Sequence, residues 1–65
     1  MEIPRERALR VAIRYKSTLK LAHECARGGA GRQGRQLHAE ALVMNDVATA
    51  LLGPDVWQEL LSESA

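Results

Sequence analysis

Apolar side chains recur along the first third of the chain at alternating intervals of four and three. The series is Ala8, Ala12, Tyr15, Leu19, Ala22 and Ala26. On a helix these positions form one continuous stripe, with Val11 beside it, while Arg10, Arg14, Ser17 and Glu24 fall on the opposite side. Pro4 suits the first helical turn, where its missing N–H is no loss, and Gly28-Gly29 supply a C-terminal stop. The pattern predicts a helix over 4–27. A second series, Leu37, Ala41, Met44, Ala48 and Leu51, predicts a helix over 35–52, flanked by Val47 and Leu52. Gly53 reads as its C′ residue and Pro54 as the enforced break. Pro54 then opens a short third helix over 54–63. Asp55 and Glu59 favour its early turns, and Val56, Trp57, Leu60 and Leu61 share one face.

Residues 9–16, LRVAIRYK, carry a competing pattern. Leu9, Val11, Ile13 and Tyr15 alternate with Arg10, Ala12, Arg14 and Lys16, as in a strand with one apolar face. Ser17 or Thr18 would then cap a shorter helix over 18–27. The helical stripe runs through six positions and the alternation through only eight residues, so the long helix is the preferred reading.

The expected fold is therefore all-α, a single small domain over 1–65. The two long helices form an antiparallel hairpin, and the alanines of each stripe allow close approach. Leu9, Ile13, Leu42 and Val43 lie away from that seam. They predict a second packing surface, most simply the interface of a C2 homodimer forming a four-helix bundle. The third helix can fold back as a lid or present an anchor to a partner, since an accessible Trp is a typical hot-spot residue.

Length strengthens the case for assembly. A chain of 65 residues buries only about 60% of the surface its unfolded form exposes, and small folds are usually reinforced by disulfides, metals or partner subunits. With Cys25 as the single cysteine, no internal disulfide can form. No apolar run is long enough to span a membrane, and the charged beginning MEIPRERALR lacks a signal-peptide core. The expectation is a cytoplasmic protein without membrane contact.

The net charge of +1 conceals a strong asymmetry. All nine basic residues lie within positions 1–35, against Glu2, Glu6 and Glu24, for a net +6. Positions 36–65 carry five carboxylates and no Lys or Arg, for a net −5. Such halves neutralise one another within a subunit or across a dimer, or the basic half meets nucleic acid or an acidic protein.

Two stretches invite a chemical reading. GAGRQG, residues 29–34, spells the G-x-G-x-x-G of dinucleotide-binding loops, but that motif follows a buried strand within a βαβ unit. Here the preceding segment is helical, and the stretch reads as an interhelical loop placing Arg32 and Arg35 at its tip. His23, Glu24 and Cys25 are consecutive, so on a helix their side chains diverge by roughly 100° each and cannot converge on one atom. No catalytic set, metal site or cofactor site is expected.

The favoured function is that of a small non-enzymatic regulator acting by protein–protein binding as a helical homodimer. Leu9, Ile13, Leu42 and Val43 are assigned to the dimer contact. Trp57, Leu60, Leu61, Arg10, Arg14, Arg32 and Arg35 are assigned to an unidentified protein partner. In size and layout the chain is similar to small helical adaptors, secretion co-chaperones and phage-encoded inhibitors of host proteins. The alternative is a dimeric DNA-binding regulator. Were 9–16 a strand, residues 9–52 would look like a ribbon-helix-helix repressor, with Arg10, Arg14 and Lys16 on the DNA-reading ribbon.

Overall fold

The computed structural model describes residues 3–64. Three helices follow in chain order: α1 (Arg5–Arg27), α2 (Gly31–Leu52) and α3 (Pro54–Glu63). The described residues contain no strand, and 9–16 lie wholly within α1. The strand alternative is thereby overturned, and with it the ribbon-helix-helix arrangement. The 4-3 apolar spacing persists beyond the eight alternating residues, and Ala8, Ala12 and Ala22 are buried while Val11 and Ile13, members of the apolar face a strand would present, are exposed.

The turn between the long helices is tight. At the end of α1 the Gly28 N–H donates to Glu24 O at 2.9 Å and the Ala30 N–H to Cys25 O at 2.8 Å. Gly29 takes φ +89°. The Ala30 bond is the 6→1 bond of a Schellman ending, which places a glycine at the left-handed position. The second helix begins at Gly31 rather than 35, a correction to the expected boundary. Once Gly29 has reversed the chain, both later glycines of the run, Gly31 and Gly34, lie within α2, and Gly34 is buried there. A Cβ there would lie 3.0 Å from the Ala22 carbonyl oxygen and 3.3 Å from the Ala26 nitrogen. The absent side chain is what lets α2 cross α1 at backbone contact.

The other joint is a single residue. Gly53, at φ 89° and ψ 151°, donates to Thr49 O at 2.9 Å and accepts from the Trp57 N–H at 3.1 Å, closing α2 and opening α3. Pro54 occupies the first turn of α3, as expected.

α1 and α2 pack along an alanine seam. Among the described residues the buried apolar ones are Ala8, Ala12, Ala22, Ala41, Ala48, Trp57 and Leu60, so only two large side chains there are fully enclosed, both from α3. Ala26 and Leu51, expected in the seam, are exposed. Ala26 meets the Gly34 crossing through its backbone nitrogen and remains exposed. At the other end the seam continues through Leu52, which packs on the core, leaving Leu51 turned away. The molecule is a rod of 40 × 20 × 16 Å, with α3 folded back along the hairpin as a lid. An ion pair between Arg5 and Glu63 joins the start of α1 to the end of α3, and it is the only one among the described residues.

Candidate functional site

Trp57 organises one side of the hairpin. Its indole is 1% exposed, donates through Nε1 to Asn45 Oδ1 at 2.7 Å, and meets the Tyr15 ring edge-on at a centroid distance of 5.7 Å. The expectation of an accessible Trp57 is therefore corrected, and Leu60 is likewise 1% exposed. The short third helix has no other apolar surface large enough to hold it on the hairpin, so these two side chains are spent internally. Leu61 is half-buried against the same core. Val56, beside them on α3, stays 43% exposed.

The opposite side of the hairpin is open. Asn45 and Val47 are two residues apart, about 200° round the helix, and so are Leu9 and Val11. Asn45 and Leu9 face the α3 side, so Val47 and Val11 face away from it. Between them runs a groove of about 270 Å³. Its α1 wall is Ala8 and Val11, with Ile3 at the end. Its floor and far wall come from α2, through Val43, Met44, Val47, Ala48, Leu51 and Leu52. Every lining side chain is apolar. Val43, Val47 and Leu51 stand at i, i+4 and i+8 along one row of α2 and are 61, 51 and 65% exposed. That row was present in the sequence, but its members had been divided among the expected seam, its flank and the dimer contact. Ile3, ahead of the first helix, carried no periodic signal.

The four residues assigned to the dimer contact do not share one face. Leu9 is half-buried and packs on the core beside α3. Ile13, one turn further, lies on the same flank and is exposed. Val43 lines the groove on the other side, and Leu42 points about 100° away from it. Arg10 and Arg14 are exposed on the outer side of α1, and Arg32 and Arg35 are exposed at the hairpin tip.

His23 and Glu24 are exposed and Cys25 is half-buried, and they do not converge. Among the described residues no group of three His, Cys, Asp or Glu side chains comes together as a metal site. No described helix is long and apolar enough to cross a membrane. Compared with known proteins, the chain matches no family model, and no curated protein or solved structure is significantly similar to it.

Proposed function

We infer that this chain works by binding other protein chains, as a small helical regulator of adaptor, co-chaperone or inhibitor type, assembled as a homodimer. The groove carries the reading. A catalytic pocket needs convergent polar or titratable groups beside its apolar walls, and this concavity is lined only by apolar side chains. Such a surface is suited to apolar side chains from another protein. The exposed arginines of the hairpin tip, Arg32 and Arg35, then serve to steer an acidic target toward the assembly, since charge complementarity accelerates and orients encounter.

The test is affinity capture from the source cell with wild type and with Arg32→Glu/Arg35→Glu, alongside titration of the purified protein with duplex DNA. One discrete protein retained in stoichiometric amount by wild type and lost from the variant is the expected result. Duplex binding that falls steeply with salt, through release of counterions from several phosphates, would replace this reading with nucleic-acid recognition.

A further inference from the structure

The chain exposes 5021 Å² of surface. A compact monomer of 7.2 kDa exposes about 4,100 Å². The excess, about 900 Å², is close to the roughly 800 Å² that each partner contributes to a standard protein–protein interface. Much of the apolar part of that surface is gathered in one place. Among the described residues Leu51 and Val43 are the two most exposed large apolar side chains, and together with Val47 they form a ridge beside a groove of their own character.

We propose that the groove is the seam of a C2 homodimer. The Val43–Val47–Leu51 ridge of each copy fills the groove of the other, with Val47 on the two-fold axis. This deepens the protein-binding reading above and rests on it. An isologous interface must be self-complementary, and a ridge running alongside a groove meets that condition. The ridge follows an i±4 row, so two copies interdigitate in the 4–4 class, with the α2 helices crossing at about −50°. Val47 then meets its own symmetry mate, and Val43 meets Leu51 of the second copy.

Charge selects the same occupant. Arg7, Arg10 and Arg14 are spaced three and four apart on the flank of α1 adjoining Val11. Glu40 and Asp46 bracket the ridge on α2, and neither makes an ion pair with a described basic residue. A second copy seated in the groove brings Glu40 and Asp46 of its α2 toward the arginine flank of α1. The two carboxylates of α2 thereby gain basic partners between subunits, while Glu63 keeps Arg5 within its own subunit.

The experiment is the molar mass of the full chain in solution, with circular dichroism to confirm helicity. Wild type is expected at twice 7.2 kDa. Val47→Asp places a charge in the seam and raises the dimer dissociation constant by about 100-fold or more. Ile13→Asp, on the opposite flank of α1, leaves the dimer intact. Should Val47→Asp lose its helicity, cross-linking decides. In a Cys25→Ser background, Val47→Cys oxidises to a covalent dimer, because residues on the axis fall within the roughly 4.4–6.8 Å Cα separation a disulfide requires. Leu42→Cys does not. A monomeric mass for wild type, or cross-linking through Leu42→Cys in preference to Val47→Cys, overturns the seam. Target capture by a monomeric wild type would overturn the homodimer and its seam and leave target binding standing. A Val47-centred dimer that captures no protein would instead overturn the target-binding reading.

Discussion

The indole nitrogen of Trp57 and the side-chain oxygen of Asn45 are 2.7 Å apart, a hydrogen bond linking α3 to α2 beneath an almost fully buried ring. Asn45 is the acceptor that permits the ring to be enclosed. A buried donor left without a partner costs about 1–3 kcal/mol. Asn45→Ala is expected to destabilise the fold by that amount in urea unfolding followed by far-UV circular dichroism. Trp57→Ala removes the ring that holds α3 on the hairpin and is expected to cost about 3–5 kcal/mol. Equal stability of Asn45→Ala and wild type would show that the bond does not support the core.

Gly34 sets two effects against each other. Alanine favours a helix interior over glycine by about 1 kcal/mol. The new Cβ, however, meets backbone atoms of α1 at 3.0 and 3.3 Å, and backbone yields only if the helices part. The clash is expected to win, so Gly34→Ala destabilises by about 1–3 kcal/mol. Gly31 is the internal contrast. Its nearest neighbour is the Arg35 guanidinium at 3.9 Å, the end of a flexible side chain. Gly31→Ala is expected to be neutral or stabilising by up to about 1 kcal/mol. A loss of stability in Gly34→Ala with none in Gly31→Ala, read by thermal melts, is the checkable result.

Gly53 adopts a backbone conformation, φ 89° with ψ 151°, that is essentially confined to glycine. Gly53→Ala is expected to cost about 1–3 kcal/mol, although no atom lies within 4 Å of the added methyl. The loss comes from backbone strain alone. A Gly53→Ala protein as stable as wild type would mean that the joint relaxes to another conformation.

The Arg5–Glu63 pair joins residues far apart in sequence, but its side chains are 58 and 44% exposed. Exposed ion pairs contribute about 0–1 kcal/mol and weaken as salt rises. Glu63→Gln is expected to shift stability by less than about 1 kcal/mol at low salt and by still less at high salt. A larger shift would mean that this contact, rather than the apolar core, holds α3 in place.

The helices and the alanine seam were legible in the sequence because they follow from local rules. Period fixed the stripe through Ala8, Ala12, Ala22, Ala41 and Ala48, and all five are buried. Glycine and proline marked the ends of α1 and α2 and the start of α3. The start of α2 was not legible, because glycines that punctuate a loop and a glycine that permits a helix crossing look alike in one dimension. Gly34 is distinguished only by the Ala22 carbonyl opposite it. Trp57 was misplaced for a related reason. A short amphipathic helix can turn its face inward or outward, and here the direction depends on the dihedral angles of Gly53.

The candidate site was only partly legible. Val43, Val47 and Leu51 could be read as a row, but which side of α2 remained uncovered depended on where α3 came to rest. Leu9 and Ile13 have the same apparent surplus character in sequence. The lid covers part of one and leaves the other exposed, a difference created by tertiary packing.

The chain contains one Trp, one Tyr and no Phe, and the two rings touch each other. All of its intrinsic fluorescence and aromatic absorption therefore arises from a single contact at which α1, α2 and α3 meet. The molecule carries its own label for the joining of its three helices. That label sits on the face away from the groove, so its emission follows assembly of the fold while remaining nearly blind to what binds on the other side.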